Sequence, residues 1–139
     1  MCDAMHFAEE LSGRYRQDRK ALAALSLSDS AHISCVANDY GYDLVYSRII
    51  EGIGHKADVL IGLSTSGNSA NIVKAFEVAR TKEITTIGFT GFTGGVMKEL
   101  CDYLLNVPST DTPRIQESHI LIGHIICQMV EEDFFSSIP

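Results

Sequence analysis

The sequence predicts an α/β fold, a three-layer α/β/α arrangement around a doubly wound parallel sheet, and two observations carry that expectation. Short continuous apolar runs such as residues 59–63 (VLIGL) alternate with longer segments of helical periodicity. Strands that are apolar throughout, not at every second position, are those buried on both faces of a parallel sheet. The second observation is the polar loop Ser64-Thr65-Ser66-Gly67-Asn68-Ser69, which follows such a run and opens a helical segment. Parallel sheets bind ligands at that kind of junction. With 139 residues and 45% hydrophobic content, a single domain over 1–139 is expected.

Taken in order, residues 2–16 place Met5, Phe7, Ala8 and Leu11 at helical spacing, and Gly13 is able to end that helix early. Residues 21–27 (ALAALSL) suit a buried strand, and Ser28-Asp29-Ser30 supplies cap chemistry for a helix through Val36, before a turn at Asn38-Asp39-Tyr40-Gly41. Residues 44–53 are helical in pattern, 59–63 form a strand, and 70–82 form a helix with Ile72, Val73, Ala75, Phe76 and Ala79 on one side. Residues 85–90 are β-rich, Gly94-Gly95 opens a further helix, and 104–107 add a last strand, giving about four. Residues 114–135 carry the longest helical pattern, apolar nearly all round, as expected of a helix packed on every side in an oligomer.

The charge balance, 18 acids against 11 bases for a net of −7, gives no electrostatic reason to expect nucleic acid or an anionic membrane as partner. No apolar run is long enough to span a bilayer, and no basic leader with an apolar stretch stands at the N-terminus. Cys2, Cys35, Cys101 and Cys127 are far apart without a C-x-x-C pair, which fits reduced thiols and a cytoplasmic location better than a disulfide framework.

The serine-rich loop puts several hydroxyls and free N–H groups at the positive end of a helix dipole, where a phosphate monoester is stabilised. Helix capping alone accounts for such serines about as well; the position beyond a strand's carboxyl end favours phosphate. His6 and Glu10, four apart, can aim at a common metal or substrate, although spacing alone favours an exposed ion pair. Gln116 and His124 share a face of the last helix, while His119 points elsewhere and reads as structural. His124 lies among Ile122, Gly123, Ile125 and Ile126, so it needs a partner to offset desolvation, and a satisfied core histidine is the commoner case. Asn38 and Asp39 offer an amide and a carboxylate to sugar hydroxyls, and equally make plain turn chemistry.

Four stretches together, CDAMHFAEELSGRYR at 2–16, HISCVANDYG at 32–41, STSGNSANIVKA at 64–75 and RIQESHILIGHI at 114–125, resemble the phosphoheptose isomerases. These are proteins of the sugar isomerase (SIS) type, with a flavodoxin-like or Rossmann-like sheet. The resemblance implies an aldose–ketose isomerase that converts sedoheptulose 7-phosphate to D-glycero-D-manno-heptose 7-phosphate through an enediol, the first step toward the ADP-heptose of lipopolysaccharide core or capsule. It implies phosphate binding by Ser64, Thr65, Ser66 and Ser69, sugar contacts from Asn38 and Asp39, and Glu10 with His124 as the acid/base pair. It further implies that Gln116 contacts substrate and metal, that zinc is held by His6, Glu10, Gln116 and His124, and that the protein is a bacterial, cytoplasmic homotetramer with active sites lined by more than one subunit.

The family carries a further N-terminal segment with helices, a first strand and an N-G-G-S type loop ahead of the position of Cys2, so the expectation is of an N-terminally truncated sheet with unpaired backbone and poor stability on its own. Two alternatives stand beside the isomerase. One is a non-catalytic SIS module that binds a protein partner, which Glu10, His124 and Ser66 disfavour; the other is an isomerase of another sugar phosphate.

Overall fold

The computed structural model describes residues 1–135 and falls into two compact units: Asp29–Gln116, and Met1–Ser28 together with the chain from Glu117 onward. In the first of these, three strands, β1 Val59–Ser64, β2 Thr85–Thr90 and β3 Tyr103–Asn106, pair in parallel in the order β1-β2-β3. Val59 stands opposite Thr85 and Ser64 opposite Thr90, so β1 and β2 end level with one another. The α/β class and the parallel sheet with flanking helices are as the sequence predicts.

Parallel neighbours require a crossover. Here it is α4 Ala70–Thr81, which packs against β1 and β2. Ala75, Phe76 and Ala79 form its buried face, with Phe76 and Ala79 fully enclosed. Gly62 makes that approach possible, because a Cβ there would lie 2.5 Å from Phe76 Cε1. Behind α4 pack α3 Ser47–Ile53 and a 3-10 helix at Tyr42–Leu44, the latter also touching α2 Ser30–Asp39. Asp29 caps α2 by accepting from the His32 N–H at 2.6 Å, the role its side chain suggests. A second 3-10 helix, Val96–Glu99, stands where Gly94-Gly95 was expected to open a helix, and it leads to β3.

The other unit contains α1 Cys2–Ser12 and the part of α5 Thr112–Phe135 from Glu117 onward. Phe7 is buried where a side chain at Gly123 would come within 3.8 Å of its ring. His119 and Cys127 are likewise enclosed, and burial pushes the Cys127 thiol up to about 11, so it stays protonated. The structural role read for His119 agrees with that burial.

Three expectations change. Residues 21–27 form no strand, leaving three strands among the described residues, and Leu25 is 68% exposed. The segment's backbone bonds there are Leu22 N–H to the Leu11 carbonyl and Ser28 N–H to the Ser26 carbonyl, with no ladder alongside. A strand exists only by pairing, and an apolar run does not specify its partner. Second, of the helical spacing over residues 2–16 only Cys2–Ser12 is helix, ended early by Gly13 as that residue suggests. Third, α2 runs beyond Val36 to Asp39, so Asn38 and Asp39 occupy its last turn and the reversal falls on Gly41, whose φ is 99°.

Glu131 on α5 is 2% exposed. Burial pushes its pKa up, but the Arg16 and Gln17 N–H groups and the Arg19 guanidinium outweigh that effect and hold it below its ordinary 4.5. A carboxylate whose pKa falls on folding stabilises the fold above its unfolded pKa and loses that contribution as pH drops through the folded value. Urea midpoints should therefore place Glu131→Gln below the parent near neutral pH, with the gap closing as the pH falls below the ordinary carboxylate value.

Candidate functional site

Two groupings of the expected residues occur, one in each unit. The first is the loop from Ser64 to Ser69. Ser64 and Ser69 join their hydroxyls at 2.8 Å, and the Ser66 hydroxyl accepts from the Asn68 N–H at 3.1 Å. Ser69 is the N-cap of α4, yet its side chain makes no capping bond. Among the described residues the N–H groups of Ala70 and Asn71 find no acceptor, so capping is not what these serines accomplish and two donors at the positive end of α4 remain free.

The loop is held from outside. Gly91 N–H donates to the Thr65 carbonyl at 2.9 Å, and Met97 N–H to the Gly67 carbonyl at 3.0 Å. Val96 N–H donates to Asn68 Oδ1 at 2.9 Å. Asn68 thus braces the loop, a role its polar character alone did not separate from those of the neighbouring serines. Gly67 has φ 67°, and a Cβ on it would overlap the Gly94 carbonyl.

The second grouping brings together His6 and Glu10 of α1 and His124 of α5. His6 Nε2 lies 3.2 Å from Glu10 Oε1 and 3.2 Å from His124 Nε2, and His124 Nε2 is 3.8 Å from Glu10 Oε1. His124 is a half-buried partner in this cluster, not an isolated core histidine, and His6 with Glu10 is more than a surface pair. Tyr15 stacks on the His124 ring at 5.8 Å between centroids and 22° between planes, a contact that no motif spacing disclosed.

Two imidazole nitrogens and a carboxylate oxygen within 4.8 Å of one another form a donor set for a divalent cation. Tetrahedral bonds of about 2.0–2.1 Å to zinc separate ligand atoms by about 3.3 Å, close to the spacings found. Of the remaining expected residues, Asn38 and Asp39 are exposed at the end of α2, joined by the Asn38 amide donating to Asp39 Oδ1 at 2.7 Å. Gln116 is exposed on α5.

Residues 1–91 match the SIS domain family. The chain is 56% identical over 133 residues to the phosphoheptose isomerase of Vibrio vulnificus, an alignment that covers 95% of this chain and 70% of the relative. This chain belongs to the phosphoheptose isomerase family of SIS-domain proteins. Two solved structures agree. A phosphoheptose isomerase from Francisella tularensis superposes with a TM-score of 0.91 at 34% identity, covering 94% of this chain and 71% of that one. The phosphoheptose isomerase from Neisseria gonorrhoeae gives 0.88 at 41% identity, covering 94% and 70%.

Because Gly67 is the one loop residue with a positive φ and no room for a side chain, Gly67→Ala should destabilise the fold by more than about 1 kcal/mol. Chemical denaturation measures this, as a lower urea midpoint for the variant than for the parent.

Proposed function

We propose that the protein is an aldose–ketose isomerase converting sedoheptulose 7-phosphate to D-glycero-D-manno-heptose 7-phosphate, as the names of its relatives suggest. The observation that carries this reading is the Glu10 carboxylate set beside the paired imidazoles of His6 and His124. A ketose becomes an aldose when a proton leaves C1, an enediol forms, and a proton returns to C2 while another moves from the C1 oxygen to the C2 oxygen. That sequence requires a base at carbon and a proton carrier at oxygen. Glu10 takes the C1 proton and delivers it to C2, and His124 moves the proton between the oxygens.

Ser64, Thr65, Ser66 and Ser69 bind the phosphate with the free N–H groups at the start of α4, and Asn38 and Asp39 bind sugar hydroxyls. Zinc fits the donor set of His6, Glu10 and His124, with Gln116 as a further ligand in this reading. When bound, the ion would polarise the carbonyl oxygen and orient its ligands. The product feeds ADP-heptose and lipopolysaccharide or capsule assembly, in the cytoplasm; among the described residues no helix is long and apolar enough to cross a membrane.

Glu10→Gln keeps the shape and removes the base, so kcat on sedoheptulose 7-phosphate should fall by about 10²–10⁴ with KM nearly constant. A folded parent chain inert toward this substrate, with and without zinc, would replace the reading with that of a partner-binding SIS module; turnover only of another sugar phosphate would change the substrate.

Leu121, Ile125 and Met129 recur at four-residue spacing on α5 and are 59%, 49% and 56% exposed. Such a stripe supports a homotetramer in which α5 packs against other copies. Sedimentation should then show Ile125→Glu as a smaller species than the parent.

A further inference from the structure

Glu131 and Arg19 touch none of the reacting groups, yet their paired side chains are each only 2% exposed. Burying a charge pair is costly unless hydrogen bonds satisfy it on every side, and here they do. Glu131 accepts from the Arg16 N–H at 3.1 Å, the Gln17 N–H at 3.2 Å and Arg19 Nε at 3.0 Å. The guanidinium spends its other donors on backbone: Nη2 donates to the Glu10 carbonyl at 2.8 Å and Nη1 to the Leu11 carbonyl at 2.9 Å. These carbonyls belong to the last turn of α1, which has no internal partners for them and carries the negative end of the helix dipole.

The segment that Glu131 grips also carries Tyr15, the ring stacked on His124. Each side of the ion pair therefore ends on one member of the acid/base pair. Replacing a buried ion pair by apolar residues of similar volume is often neutral or stabilising. What the charges add is direction, since a guanidinium fork and a carboxylate fix the angle and register of what they hold.

We infer that Arg19 and Glu131 are positioning residues for proton transfer: Arg19 fixes the backbone of Glu10 at the end of α1, and Glu131 fixes the segment that lays Tyr15 against His124. This rests on the isomerase reading for its kinetic consequence but not for its geometry.

The test uses the full chain with Glu131→Gln and, in parallel, Arg19→Lys, which keeps the charge but lacks the fork. Two readouts are taken on protein shown by circular dichroism to be folded: kcat and KM on sedoheptulose 7-phosphate, and the imidazole ¹H–¹⁵N resonances of His6 and His124 without added metal. In each folded variant kcat should fall about 10- to 100-fold with KM within about threefold, and the His124 resonance should move. A folded variant with parental kcat and unmoved imidazole resonances overturns the inference, as does a failure of both variants to fold, which would confine the pair to stability. If the parent is inert toward the substrate while the variants still shift His124, the positioning stands and the isomerase reading alone falls.

Discussion

Level parallel pairing of β1 with β2 is the constraint from which the serine-rich loop follows. Parallel strands cannot be joined by a tight turn, so the chain leaving Ser64 has to return along α4 to begin β2 at the far end. The return starts at the strand's carboxyl end, which places Ser64 to Ser69 and the N-terminus of α4 together by topology. Gly62 lets Phe76 seat α4 directly on β1. Gly67 lets the loop fold against Gly94. With that loop fixed from Gly91, Val96 and Met97, the free N–H groups of Ala70 and Asn71 are preorganised, and a ligand need not bear the cost of ordering them.

In the other unit a different force dominates. A carboxylate that is 2% exposed cannot be left unpaired. Glu131 therefore dictates where the backbone of residues 16 and 17 must run and where Arg19 must point. The irregular segment after α1 is ordered by this electrostatic demand, since it has neither helix nor ladder to order it.

What was legible in the sequence divides along the same line between local and non-local causes. The bounds of β2, the start of α4 and a cap for α2 from within Ser28-Asp29-Ser30 follow from residues within a few positions of one another, and they are found as read. Residues 21–27 were misread because apolar character records a wish for burial, whereas a strand needs a neighbour elsewhere in the chain. The serine loop, and the pairing of His6 with Glu10, were visible as spacing. The meeting of His6 with His124 spans 118 positions, and only the resemblance to a family joined them in advance. Arg19 and Glu131 gave no signal, because a glutamate in the run Glu131-Glu132-Asp133 reads as one more surface charge until its burial is known.

The double duty proposed for Glu10, as base and as cation ligand, is compatible with its chemistry. A carboxylate presents two oxygens with about four lone-pair sites. Oε1 faces His6 and His124 at 3.2 and 3.8 Å, so it is the oxygen a cation between those rings would engage. A cation there would lower the basicity of the carboxylate it touches, which opposes proton abstraction from carbon, while the same positive charge favours the enediolate that abstraction creates. The second effect would act at the oxygen where negative charge develops. Two imidazole nitrogens 3.2 Å apart need a shared proton or a cation between them, because two lone pairs facing each other at that distance repel. A neutral ring in its Nε2–H tautomer meets that requirement by donating to the other ring, and a cation meets it by accepting from both, so the facing atoms suit either occupant without requiring the rings to be charged.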